Sequence, residues 1–101
     1  MLGLPSNSQF LLLCLVTLEW SNSADDARVN SFGENLLNSF EKVTKAAGVF
    51  NEFKYLNYAG HFQDPLDSYG AANKAKLVAA SKKYDPAGFF QKAVPGSFKL
   101  T

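Results

Sequence analysis

Nine residues in succession, Phe10-Leu11-Leu12-Leu13-Cys14-Leu15-Val16-Thr17-Leu18, carry almost no polar chemistry. The run is far short of the ~20 residues that a bilayer-spanning helix needs. Two readings are open. One is the apolar core of a signal peptide, with Ser21 and Ser23 as small residues before a cut at Ala24. The other is a β-strand covered on both faces. A signal peptide begins with a positively charged segment, and no Lys or Arg precedes Phe10. Glu19 and Trp20 also stand between the apolar core and the cut. The strand is therefore the preferred reading. A strand apolar on both faces needs neighbours, and a sheet needs three or more strands for independent stability. A chain of 101 residues offers one further strand candidate.

That candidate is Phe53-Lys54-Tyr55-Leu56-Asn57-Tyr58, which runs into Ala59-Gly60. Its aromatic density and alternation predict a β-strand. Asn57 and Tyr58 stand at its exit as side chains presented to something outside the strand, and from composition alone Tyr55 and Tyr58 read as packing a β-surface with their hydroxyls in water. Between the two strands the apolar positions Val29, Phe32, Leu36, Phe40, Val43 and Ala47 recur at close to 3.6 residues, and Leu37 widens the face. They predict a helix packed into the core by that stripe. Ser23 is the expected N-cap, with Asp26 in a capping-box position, and Gly48 is the expected C′ residue. Glu41 and Lys45 are spaced to pair. Gly33, costly inside a helix, marks a close approach.

Gly60, Asp64-Pro65 and Gly70 predict a loop. A second helix follows from about Ala71 to Tyr84, with Ser68 and Asn73 as alternative caps. Asp85-Pro86 stops it, because the residue before proline is biased out of the α region. Phe89-Phe90 adds two large apolar groups, and Pro95-Gly96 breaks the chain before a short tail. The residues from 1 to 8 have a loop-like composition.

At 47% hydrophobic and 19% charged, the chain has a globular composition and forms one domain-sized segment. Net charge is +1 and Lys/Arg do not cluster, so no nucleic-acid partner is expected. No membrane partner is expected either. One cysteine, Cys14, and one histidine, His61, leave no multi-cysteine or His-pair metal site and no intramolecular disulfide. Cys14 is expected to be a small buried hydrophobe and His61 a solvated loop residue. The remaining chemistry is phenolic, carboxylate or amide.

Tyr55-Leu56-Asn57-Tyr58, followed by Gln63-Asp64-Pro65, Ser68-Tyr69-Gly70, Asn73, Lys83-Tyr84-Asp85-Pro86 and Phe89-Phe90-Gln91, resembles the C-terminal part of the berberine bridge enzyme-like FAD-linked oxidoreductases. Glu19-Trp20-Ser21-Asn22-Ser23-Ala24-Asp25-Asp26 and Val94-Pro95-Gly96-Ser97-Phe98-Lys99-Leu100 fit the same pattern. The resemblance implies that residues 1–101 are a C-terminal substrate region, with the FAD-binding domain absent from this chain. It implies an α+β fold: a fragment of an antiparallel-sheet substrate domain, ordered strand, helix, strand, loop, helix, tail. It implies FAD and a small-molecule substrate as partners of the full-length enzyme, with hydride transfer from an alcohol-type or similar donor to the flavin. Asn57 would contact the flavin, and Tyr58 would match a tyrosine used as catalytic base. Tyr55 would be a supporting or flavin-side residue. The isolated chain is expected to be inactive.

Phenols ionise near pH 10, so a tyrosine acts as a base at neutral pH only with help from nearby positive charge or from the reacting geometry. Regular strand alternation puts Tyr55 and Asn57 on one face and Tyr58 on the other. Both Asn57 and Tyr58 can meet one flavin only if the strand bends, and the bend is predicted near residues 58–60. The alternative reading is a small secreted helical interaction protein with residues 1–23 as signal peptide. The mass of the mature N-terminus separates the two, since a start at Ala24 removes the first strand.

Overall fold

A computed structural model describes residues 4, 10–96 and 98–100. The loop-like start, residue 4 aside, and Ser97 and Thr101 of the tail lie outside the described residues. Among those described there are helices and turns and no strand. The three α-helices are α1, Asp26–Ala46; α2, Ala71–Tyr84; and α3, Phe89–Lys92. Short 3₁₀ turns stand at Ser23–Asp25, Leu56–Tyr58 and Asp67–Tyr69. The chain divides into two compact units, Leu11–Asn51 and a second one that holds the described residues from Glu52 onward.

The expected α+β fold with an antiparallel sheet is thus overturned. β-propensity measures how well a side chain fits a pleated, half-buried surface, and it does not supply that surface. Residues 10–18 have no ladder partner, and Phe10, Leu12, Leu13, Leu15 and Val16 are exposed. Cys14 is exposed as well, so the expectation of a buried thiol is also corrected.

In the first unit, Leu18 is the half-buried residue of the apolar run. It lies against α1 at Gly33, where an added Cβ would sit 3.0 Å from Leu18 Cδ1. Gly33 marks the close approach that its sequence position suggested. The Trp20 indole N–H donates to Asp26 Oδ1 at 2.6 Å, tying the run's end to the first residue of α1. Ser23 is not the N-cap: Asp25 precedes α1 and makes no side-chain cap bond, and the side chain that caps stands one turn earlier, at Asn22. Its Oδ1 accepts from the Ala24 N–H at 3.0 Å and opens the 3₁₀ turn that leads into α1. At the far end Gly48 takes φ 70°, and the Val49 N–H reaches back to the Thr44 carbonyl at 3.0 Å. That closure needs the left-handed conformation glycine adopts freely. Glu41 and Lys45 pair at 3.1 Å, and Lys45 Nζ lies 4.5 Å from the centre of the Phe50 ring.

The α1 stripe is not core. Phe32, Leu36, Phe40 and Val43 are exposed, while Val29, Asn30, Gly33, Leu37, Glu41 and Thr44 are the shielded positions. At 3.6 residues per turn the two sets lie roughly 100° apart round the helix. Periodicity reports which face is apolar; it does not report what covers that face.

In the second unit Pro65, Leu66 and Tyr69 are buried. Tyr69 stacks on Phe53 with ring centres 5.7 Å apart. Ser68 is not a cap for α2. Its hydroxyl donates to the Pro65 carbonyl at 2.6 Å and accepts from the Lys54 N–H at 2.9 Å. Asn73 is not a cap either; its Nδ2 donates to the Tyr69 carbonyl at 2.9 Å. Gly70, at φ 84°, precedes α2 without a side-chain cap. α2 ends at Asp85-Pro86 as predicted. Asp85 then turns its carboxylate to the next helix, accepting from the Phe89 N–H at 2.8 Å and the Phe90 N–H at 3.0 Å. Replacing Asp85 with Ala leaves both donors without that partner. It is expected to cost about 1 kcal/mol, the usual scale for a lost N-cap. Faster amide exchange at Phe89 and Phe90 is the check; unchanged exchange would count against the cap.

Lys74 Nζ pairs with Asp67 Oδ1 across the start of α2. The hydrogen bond from Lys74 holds the Asp67 carboxyl below its ordinary value of 3.8, and the same bond raises Lys74 above 10.5. A depressed carboxylate stabilises the fold above its unfolded value and loses that contribution as pH falls through the lower folded value. A raised ammonium contributes below 10.5 and loses its contribution as pH rises through the higher folded value. The pair is largely open to water on the Asp67 side, so salt screens it. Lys74→Met is expected to return the Asp67 titration, followed by carboxyl chemical shift, towards 3.8. High salt should move it the same way.

Candidate functional site

The segment expected to be a strand is a tight turn instead. The Tyr58 N–H donates to the Tyr55 carbonyl at 2.9 Å, and the Ala59 N–H reaches the Leu56 carbonyl at 3.4 Å. Those bonds close a 3₁₀ turn over Leu56–Tyr58. At three residues per turn, side chains at i and i+3 eclipse. Tyr55 and Tyr58 therefore share a side, where strand alternation had separated them. Their rings meet edge to face, with centres 4.9 Å apart and planes at 84°. Asn57 Nδ2 donates to the Tyr55 hydroxyl at 2.8 Å. The chain leaves strand geometry at Leu56, ahead of the bend predicted for residues 58–60.

Exposure sorts the three residues. Tyr55 is half-buried, Asn57 is exposed, and Tyr58 is 51% exposed. Among the described residues no hydrogen bond reaches the Tyr58 hydroxyl. The turn thus leaves a phenol and an amide exposed, each in contact with the half-buried second phenol.

What holds the turn was not legible as site machinery. Upstream, Phe53 rests on buried Tyr69, and the Lys54 N–H is taken by Ser68 Oγ. Downstream, the Gly60 N–H donates to Gln63 Oε1 and the Gln63 N–H donates to the Gly60 carbonyl, both at 2.9 Å. A Cβ on Gly60 would stand 2.9 Å from Phe62 Cε1, so this position has room for glycine alone unless the ring moves. His61 is exposed, as a solvated loop histidine should be, and its ring sits edge to face on Phe62. Ser68, read from the sequence as an alternative helix cap, and Tyr69, read only as part of a motif, are the residues that support the turn. The available signal was Ser68 three residues after Pro65, a spacing at which a hydroxyl bonds back to a carbonyl.

Chemically, the trio offers hydrogen bonds and a titratable phenol. Among the described residues no group of three or more His, Cys, Asp or Glu is placed to hold a metal ion. No helix among them is long and apolar enough to cross a membrane.

No protein-family model matches the chain, and no solved structure matches it. Characterised proteins do. An FAD-dependent monooxygenase of Emericella nidulans is 39% identical over 99 residues, which is 98% of this chain and 21% of that enzyme. An FAD-dependent monooxygenase of Aspergillus calidoustus is 37% identical over 100 residues, 99% of this chain and 19% of the enzyme. A bifunctional solanapyrone synthase of Alternaria solani is 44% identical over 86 residues, 85% of this chain and 17% of the synthase. The chain therefore spans about a fifth of the length of these relatives. Relatives matched over nearly the whole chain include FAD-dependent monooxygenases and also a Diaporthe leptostromiformis protein named an oligopeptidase, 32% identical over 101 residues and matched over 8% of its own length.

Proposed function

We propose that this chain is the C-terminal, substrate-facing segment of an FAD-linked oxidoreductase of the berberine bridge enzyme-like kind. The observation that carries the reading is the 3₁₀ turn at Leu56–Tyr58, which exposes Asn57 and Tyr58 and sets each of them against Tyr55. That donor set suits the polar edge of a planar heteroaromatic ring and a substrate hydroxyl beside it. It does not suit a pyrophosphate, which calls for backbone N–H groups or cations. The trio therefore fits the ring end of FAD, and the rest of the cofactor belongs to sequence outside this chain.

FAD, when bound, supplies the acceptor for the hydride given up by an alcohol-type substrate. Asn57 holds the ring edge through its amide. Tyr58, as the phenolate, would receive the proton of the substrate hydroxyl and become the neutral phenol while the hydride leaves the same carbon. The phenolate needs nearby positive charge, which the trio itself does not carry. The chain alone is half of a site and is expected to be inactive.

The test is a chimera in which this chain replaces the matched fifth of the Emericella nidulans enzyme. The chimera should keep its yellow flavin absorbance and reduce that flavin on adding substrate. A chimera that folds and binds FAD but shows no substrate-linked reduction would overturn the reading. So would stoichiometric FAD binding by this chain alone, which would mean that the site is not a half-site.

A further inference from the structure

We infer that Tyr55 is a positioning residue that touches neither flavin nor substrate. Its hydroxyl sets the orientation of the Asn57 amide and its ring sets the plane of Tyr58, so that the two exposed groups meet one ligand in a fixed relation. The inference rests on the reading above that Asn57 and Tyr58 face the ligand, and it divides the labour within the trio.

Three observations carry it. The first is depth: Tyr55 is half-buried where Asn57 and Tyr58 are exposed. The second is bonding. Asn57 Nδ2 donates one of its two N–H groups to the Tyr55 hydroxyl at 2.8 Å, which fixes the amide plane and leaves the Oδ1 acceptor and the second N–H for a ligand. The third is ring contact. Tyr58 is stacked edge to face on Tyr55 at 4.9 Å, and among the described residues this is its aromatic partner.

Exposed amides and phenols otherwise sample several rotamers, and a ligand must order them as it binds. A single inner side chain that has ordered both beforehand removes that cost, which is the general advantage of preorganisation. Tyr55 is itself held at both flanks. The preceding N–H, that of Lys54, is bound by Ser68 Oγ, and its own carbonyl accepts from the Tyr58 N–H. Asn57 thus meets the ligand with its amide held in one plane, offering Oδ1 to an N–H or O–H and its second N–H to an acceptor.

Two variants of the full chain separate the hydroxyl from the ring. Tyr55→Phe removes the bond to Asn57 and keeps the ring against Tyr58. Tyr55→Leu removes both. By NMR on the labelled chain, Tyr55→Phe should shift the Asn57 side-chain amide protons towards free-asparagine positions while ring-to-ring cross-peaks with Tyr58 persist. Tyr55→Leu should lose both signals. An Asn57 amide indifferent to Tyr55→Phe overturns the inference, whatever the chimera does.

In the chimera, Tyr55→Phe and Asn57→Ala should each lower kcat on the order of 10- to 100-fold, the scale of misplacing a reacting group, with KM little changed. The double variant should be no slower than Asn57→Ala alone, because the hydroxyl acts through that amide. Effects that multiply would show that Tyr55 contacts the ligand directly and would overturn the inference. If the NMR result holds while Tyr58→Phe leaves the chimera's flavin reduction untouched, the functional reading falls and the positioning stands.

Discussion

Tyr58→Phe in the chimera is expected to slow substrate-dependent flavin reduction by roughly 10²- to 10⁴-fold, the contribution general acid–base catalysis usually makes. The substitution removes one oxygen and keeps the ring. The edge-to-face contact with Tyr55 at 4.9 Å does not involve that oxygen, and neither does the bond from Asn57 to the Tyr55 hydroxyl. The Tyr58 N–H to Tyr55 carbonyl bond that closes the turn is a backbone bond and also survives. A change in rate therefore reports proton transfer and not a rearranged loop. Flavin content and KM should stay close to those of the parent, because the phenol's role lies in the reacting geometry. Stopped-flow absorbance without oxygen reads the reductive step by itself. A rate within threefold of the parent would remove Tyr58 from the chemistry and leave it as a ring packed on Tyr55.

The readable parts of this chain are those whose chemistry is local. Gly48 could be placed at a helix end, and Asp85-Pro86 at another, because the left-handed conformation and the proline ring act on their own residues. Gly33 announced a close neighbour, although not that the neighbour would be Leu18. The failures share a different cause. The alternation in residues 53–58 fits a strand and also fits a 3₁₀ turn, and what decides between them is distant. Phe53 lies on Tyr69, and the Lys54 N–H is taken by Ser68, fourteen residues on. No window of neighbouring residues contains that information. The stripe on α1 was likewise correct as a pattern, but the chain does not cover Phe32, Leu36, Phe40 or Val43. For the candidate site, the motif named Tyr55, Asn57 and Tyr58 but not their geometry. Strand logic set Tyr55 and Tyr58 on opposite faces, and the turn brings the Tyr58 ring and the Asn57 amide both onto Tyr55 as one platform.

That platform rests on a small core, and Tyr69→Ala is expected to unfold the second unit. Among the described residues of that unit Pro65, Leu66 and Tyr69 are the buried ones, and Tyr69 is 6% exposed. Its ring carries Phe53 just upstream of the turn, and its carbonyl accepts from Asn73 at the start of α2. Removing a buried aromatic ring costs about 3–5 kcal/mol, lost burial and residual cavity together. Small domains hold roughly 5 kcal/mol at the low end of the ordinary range, and a unit with so short a list of buried residues sits at that end. Tyr69→Phe keeps the ring, and among the described residues no hydrogen bond reaches the Tyr69 hydroxyl, so its cost should be small beside that of Tyr69→Ala. Amide exchange separates the outcomes: Tyr69→Ala should lose protection through α2, and Tyr69→Phe should keep it. A Tyr69→Ala chain that melts within a few degrees of the parent would mean that the core lies elsewhere. The Asn57 side-chain amide gives a second, local reading of the same experiment. It should revert to free-asparagine behaviour in Tyr69→Ala and stay bonded in Tyr69→Phe, because the turn that aims it is held just upstream of Tyr55 through Phe53 and through the Lys54 N–H bound by Ser68.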